Sequence, residues 1–237
     1  MDDYIDKLTE MHDASDKFMS GRLILGFFPD ILDIVSHSNI WSILDFGCGK
    51  GVQWTEMKLH HAWGGAPRPH MWDPAVPELH HNNPFRIGRD YDLVIATAVL
   101  QHVPEWDITK QLWNLFDLTR KTLYLGFVMD SDHDYDNKGD SSEINCSLHS
   151  PDWWINRIND TYVQWSERRD RDITIKTRFL TEAIGTPRQW DPTTDRYKMI
   201  KTADPKWNNL THRDLGLNLN HSFGDIGGHQ ALTNKDK

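Results

Sequence analysis

Three glycines at every second position, Gly47, Gly49 and Gly51, lie within "ILDFGCGKG" (residues 43–51). An apolar run carrying an acid, Asp45, leads straight into them, the pattern of a buried strand turning sharply into a helix. Glycine lets the backbone of such a turn approach a ligand closely, and the amides that open the next helix favour an anion. Asp45 is expected to steady the turn by accepting backbone N–H bonds. A second acid, Asp73 in "MWDPAV", ends a short apolar stretch and is suited to accept hydrogen bonds from ribose hydroxyls. His102, in "YDLVIATAVLQHVP", follows the most apolar run of the chain; histidine titrates near neutrality and can act as a general base. The plainer account of His102, a helix-start histidine packed on a neighbouring loop, has the greater weight.

The spacing bears on the ligand. In an open α/β sheet, ligands bind beyond the carboxyl ends of the strands, where the strand order reverses. Two classes suit a glycine turn there: dinucleotides, and S-adenosylmethionine, whose carboxylate is the anion. Dinucleotide turns read G-x-G-x-x-G, whereas this one reads G-x-G-x-G. Gly49-Lys50 is followed by Gly51 and not by Ser or Thr, so there is no phosphate loop and ATP hydrolysis is not expected.

Other clusters carry less. Asp132, Asp134, Asp136, Asp140 and Glu143 match five positions of a calcium loop, but Asn137 stands where that loop has Gly and the flanks are not two helices. A solvated acidic loop is the better account. Histidines 60, 61, 70, 80 and 81 fit no zinc spacing, so no metal site is expected. Cys48 and Cys146 are far apart and read as reduced thiols.

These residues need a scaffold, and the chain supplies a regular one. Helices are expected over 2–20, 30–38, 52–60, 105–121 and 150–160, with a helix start at Asp73-Pro74; strands over 41–46, 68–72, 91–100 and 122–128. "TYVQW" (161–165) and "DITIKTRF" (172–179) read as two adjacent strands around a charged turn, an antiparallel edge. Alternating strands and helices predict a mainly parallel sheet covered on both faces. Residues 130–147 form a long polar loop, and beyond 182 the chain is polar with scattered Pro, Gly and Asn.

Composition bounds the rest. The 237 residues fit one domain with decorations, and no run of eighteen apolar residues suggests a membrane span. The N-terminus is acidic and unlike a secretory signal, so a cytoplasmic protein is expected. A net charge of −9 argues against a life on nucleic-acid phosphates.

Taken in order, "ILDFGCGKG", "MWDPAV" and "YDLVIATAVLQHVP" resemble the first, second and fourth motifs of class I S-adenosylmethionine-dependent methyltransferases. More narrowly, Met11-His12, the "GCGKG-x-Q" run from Gly47 to Gln53, Trp63-Gly64, Trp72-Asp73-Pro74, and His149 ahead of Trp153-Trp154 are similar to a group common in bacteriophages and some bacteria. The resemblance covers residues 4–180. It implies a Rossmann-like fold with a mainly parallel seven-stranded sheet and an antiparallel edge strand. It implies a methyltransferase domain over 1–180 with an N-terminal helical lid, followed by a C-terminal extension over 181–237. It further implies S-adenosylmethionine held by Asp45, Gly47, Cys48, Gly49, Gly51, Asp73, Pro74 and Ala98, His102 in a catalytic place, and a small-molecule acceptor facing His12, His149, Trp153 and Trp154. If the chain is phage-encoded, it works in the host cytoplasm. Two departures stand out. Ala98 and Gln101 occupy fourth-motif positions where the family carries carboxylates, and no acid after the third strand matches the one that reads adenine. The Pro-Pro-aromatic tetrad of base-amino methyltransferases and a Pro-Cys nucleophile are absent, which sets a nucleic-acid-modifying enzyme second and leaves a non-catalytic binding protein as a third reading.

Overall fold

A computed structural model describes residues 2–14, 22–128, 147, 149–169, 171–180, 190–191, 196–197 and 230–232. The chain is α/β. Helix α1 (Asp2–Ala14) precedes α2 (Phe28–His37), strand β1 (Ile43–Phe46), the single turn α3 (Val52–Thr55), β2 (His70–Trp72), α4 (Pro84–Ile87), β3 (Tyr91–Thr97), α5 (Glu105–Leu118), β4 (Thr119–Val128), α6 (Pro151–Arg169) and β5 (Thr174–Leu180). The five strands are all parallel in the order β2-β1-β3-β4-β5. Chain order reverses at β1, which has β2 on one side and β3 on the other, so the switch point lies between β1 and β3.

Side chains alternate across each strand and feed two separate cores. Leu44, Phe46, Val94, Ala96, Leu123 and Leu125 pack against α5 and α6 on one face. Ile43, Leu93, Ile95 and Tyr124 meet α2, Trp54 and Trp63 on the other. Helix α5 is held by the spacing expected of it: Ile108, Leu112, Leu115, Phe116 and Leu118 are all buried. Pro29 stands in the first turn of α2, where its missing N–H costs nothing.

Several expectations change. The segment 161–165 is not a strand; it continues α6, because Ile155, Ile158, Tyr162 and Trp165 carry one buried helical stripe onto Phe116. The antiparallel hairpin expected at 161–179 therefore does not exist, and β5 runs parallel to β4. The described residues thus hold five parallel strands; the three residues Gln230–Leu232 pair antiparallel with β5, and Trp190–Asp191 with Arg196–Tyr197. The helix expected over 52–60 lasts one turn, and a short 3-10 helix (Leu59–Trp63) follows, because Lys58 takes a left-handed conformation between them. Asp73-Pro74 starts no helix: Asp73 instead closes a tight turn by accepting the Ala75 N–H at 2.8 Å. Residues 15–21, 129–146 (with the acidic loop 132–143 and Cys146) and most of 181–237 lie outside the described residues. Among the described residues no helix is long and apolar enough to cross a membrane.

Candidate functional site

The glycine turn leaves the carboxyl end of β1 and takes left-handed backbone at alternate residues, with φ of +72°, +58° and +71° at Gly47, Gly49 and Gly51. A side chain at Gly47 would place its Cβ 2.5 Å from Val99 Cγ2, so Gly47 is where the turn meets the segment leaving β3. Ala98, the first residue of that segment, is itself left-handed at φ +55° and 8% exposed. That conformation costs a residue with a Cβ about 1–2 kcal/mol. It is held by the Ala98 N–H donating to Gly126 O at 2.8 Å, the last rung between β3 and β4. Strain of this kind, at the switch point of a parallel sheet, is a common mark of a binding site.

The turn's amides are largely spoken for. Gly47 and Cys48 N–H both reach Trp72 O, at 2.8 and 3.3 Å, and Gly51 N–H reaches Cys48 O at 3.2 Å. The Gly49 N–H donates to Asp73 Oδ2 at 2.8 Å. Asp73 therefore joins the turn through Oδ2 and holds the chain leaving β2 through Oδ1. What the turn offers a ligand is close approach beside the Lys50 cation, more than a row of open amides.

Asp45 lies directly beneath. The expected backbone donors are replaced by side chains: Trp54 Nε1 and Gln53 Nε2 donate to its Oδ2 at 2.6 and 2.8 Å. Gln53 Nε2 also reaches Cys48 O at 3.0 Å, so one amide clamps strand, turn and helix together. Burial pushes the Asp45 carboxyl up to about 6 against the pull of those two donors, with Asp73 adding to the rise. Burial, reinforced by Asp45 and Asp73, also pushes the Cys48 thiol well up, so the sulfur is an inert core atom and only its backbone lines the turn. Nothing in the spacing gives Gln53 a role; the "GCGKG-x-Q" run contains it, but its partners are a tertiary fact.

Helix α1 covers this end of the sheet. Leu8 packs with Ala75, and Tyr4 and Ile5 pack against that pair. His12 is 3% exposed, and burial beside the Lys50 cation lowers its imidazole to about 4 despite Asp13 and Glu78. Met11 and Phe18, also expected on this helix, lie outside the described side chains.

A second group forms beyond β3 and β4. His149 stacks on Trp153, with ring centroids 3.7 Å apart and planes 17° apart, and Trp153 meets Trp154 edge-on at 5.0 Å. Trp154 is core, 1% exposed and 4.6 Å from Phe127, whereas Trp153 is half-buried. His149 Nε2 lies 3.4 Å from Glu105 Oε2, and the Arg157 guanidinium sits 4.9 Å above the Trp153 ring. Glu105 and Arg157 are members that the sequence does not flag. His102 is half-buried in the short helix Leu100–His102 that follows the turn after β3. Ser147 braces that helix: its N–H reaches Gln101 O at 3.0 Å and its hydroxyl reaches Val103 O at 2.7 Å. Gln101 is 3% exposed, and its Oε1 has no hydrogen-bond partner among the described residues.

The structure thus gathers Asp45, Gly47, Cys48, Gly49, Gly51, Asp73, Pro74 and Ala98 around one turn, with His12 on the Lys50 side of it. His149, Trp153 and Trp154 form a neighbouring aromatic group after β4. Among the described residues no three His, Cys, Asp or Glu side chains gather as a metal-binding group. No protein-family model, curated protein or solved structure matches the chain.

Proposed function

We propose that the chain is an S-adenosylmethionine-dependent methyltransferase acting on a small-molecule acceptor. The observation that carries this reading is the glycine turn at the β1/β3 switch point, with left-handed backbone at Gly47, Gly49 and Gly51. A ligand must come close to the backbone there, which suits the methionine end of the cofactor with Lys50 facing its carboxylate. Asp73, a carboxylate at the exit of β2 beside the turn, suits the ribose hydroxyls. Bound, the cofactor would supply an electrophilic methyl group on sulfur, near Ala98 to His102. The chain's part is then alignment, which governs such a transfer when the acceptor is already nucleophilic. His102 is assigned the uptake of a proton where the acceptor has one to lose, and Trp153 with His149 the wall that orients it. Helix α1 shuts out water above the turn. The seven-stranded sheet with an antiparallel edge strand and the cytoplasmic setting belong to this reading.

One observation favours a second reading, a protein that binds the cofactor without catalysis. Gln101 is buried and neutral at a position where the resembled family carries a carboxylate. A nucleic-acid-modifying enzyme ranks lower, on the net charge of −9 and the missing tetrad.

Titration calorimetry with S-adenosylmethionine and S-adenosylhomocysteine tests the cofactor. Binding should weaken by about 1–3 kcal/mol in Asp73→Ala, the cost of leaving polar partners unpaired. No binding to the wild-type protein, or unchanged affinity in the variant, would overturn the assignment. Release of S-adenosylhomocysteine on incubation with a host-cell extract separates the enzyme from the binder.

A further inference from the structure

The opposite end of the sheet holds a concavity that the glycine turn does not use. Because the strands are parallel, the segments entering β1, β2 and β3 converge at their amino ends. They form a cleft of ≈ 480 Å³, within the size range of small-ligand sites. Trp41, Arg68, His70, Asn82, Arg89 and Tyr91 are among its lining residues, and none of the lining residues is an acid. β1 separates it from the glycine turn: four residues at about 3.3 Å each put the two sites roughly 13 Å apart along the strand.

The cleft has a fixed floor and an open rim. Tyr91 is 1% exposed, and its hydroxyl hydrogen-bonds His70 Nδ1. The Arg89 guanidinium lies 5.2 Å from the centre of the Tyr91 ring. Trp41 is pinned through its backbone, whose N–H donates to Asp92 Oδ2 at 2.8 Å, yet the residue is 68% exposed. Its indole is thus left exposed at the rim of the cleft. Arg68 and Arg89 are both exposed, and neither has an ion-pair partner among the described residues. The nearby acids Asp90 and Asp92 are instead engaged by Arg120, Lys121 and Arg171. Two uncompensated guanidiniums beside an acid-free cleft therefore stand out on a chain whose net charge is −9.

We propose that this cleft binds a nucleotide, its base stacked on Trp41 and its phosphate held by Arg68 and Arg89. Indole offers a flat face that any base can stack on. Guanidinium is the side chain that grips phosphate by paired hydrogen bonds. His70 and Asn82 also line the cleft and supply polar groups for a sugar or base edge. The site is independent of the cofactor reading and would stand if that reading failed.

Calorimetry on the full chain tests it, since eleven tryptophans make emission hard to assign. The probes are AMP, GMP, CMP and UMP, with adenosine and ribose 5-phosphate as half-ligands. At least one nucleotide should bind, and each half-ligand should bind at least about tenfold more weakly, because stacking and phosphate contacts each contribute on the order of a decade. Trp41→Ala should weaken the nucleotide about tenfold and leave ribose 5-phosphate unchanged, whereas the Arg68→Ala, Arg89→Ala double variant should weaken both. All three side chains are exposed, so the melting temperature should hold. Tighter, Trp41-dependent binding of a short oligonucleotide would place the same nucleotide unit within a strand. The proposal fails if no nucleotide binds at millimolar concentration, or if binding ignores both sets of variants.

Discussion

Acidification should loosen the fold through His12. Its imidazole is 3% exposed beneath α1 and is lowered to about 4, first by burial and then by the Lys50 cation, with Asp13 and Glu78 pulling the other way. In the unfolded chain the same group titrates near 6.5. Above pH 6.5 it is neutral in both states, so this contribution to stability is fully present. Below 6.5 the unfolded chain takes up a proton that the folded chain refuses, and stability falls by about 1.4 kcal/mol per pH unit until the folded group titrates near 4. Between pH 7 and pH 5 the loss from this one residue should be about 2 kcal/mol. Carboxylates and other histidines titrate too, so the comparison that isolates His12 is the wild type against His12→Gln, each unfolded in urea at both pH values. The variant should be less stable at pH 7 but should lose about 2 kcal/mol less on acidification. Parallel pH dependence in the two proteins, or an imidazole resonance titrating near 6.5 in the folded wild type, would refute the reasoning. Either result would mean that α1 does not seal His12 against the turn.

Three further outcomes follow from the same geometry. Gly47→Ala should cost about 2–5 kcal/mol in urea unfolding, from a left-handed alanine plus overpacking on Val99, and should abolish S-adenosylmethionine binding; a variant as stable as wild type would mean that Val99 moves aside freely. Asp45, raised to about 6 mainly by burial, should act opposite to His12: its share of stability is present below about pH 4 and lost as pH rises through 6. Asp45→Asn should therefore gain about 2 kcal/mol on the wild type between pH 4 and pH 7, and an equal difference at both values would place the carboxyl in its ordinary range. Trp154→Ala should destabilise by about 3–5 kcal/mol and the half-buried Trp153→Ala by much less, read from urea midpoints; the reverse order would exchange core and wall.

What could be read from the chain is what is local in the chain. The run "ILDFGCGKG" needs no partner to declare a strand and a tight turn, because left-handed backbone is a property of the residues themselves. The buried faces of α5 and β3 follow likewise from periodicity, which any apolar surface imposes on the segment carrying it. The all-parallel pairing of β1, β2, β3 and β4 could be anticipated from alternating elements. Where the signal was short and ambiguous, reading along the chain failed. "TYVQW" alternates like a strand, yet Tyr162 and Trp165 also continue the stripe of Ile155 and Ile158, and only the presence of Phe116 opposite decides for the helix. In the same way the 52–60 helix could not be told from one turn followed by a break at Lys58.

The sites divide along the same line. Sequence alone determined that a strand, three glycines, Asp73 and a motif after β3 come in an order suited to one ligand. Tertiary structure decided who holds what: Asp45 taken by Trp54 and Gln53, Asp73 spent partly on Gly49, His12 enclosed by α1, and Trp154 assigned to the core. It alone brought Trp41, Arg68 and Arg89 to one cleft, since they lie 27 and 21 residues apart and meet only because parallel strands align their amino ends. Hydrogen bonds and desolvation act across space over a few ångströms, so residue type and spacing fix which groups are offered, and packing fixes which of them remain for a ligand.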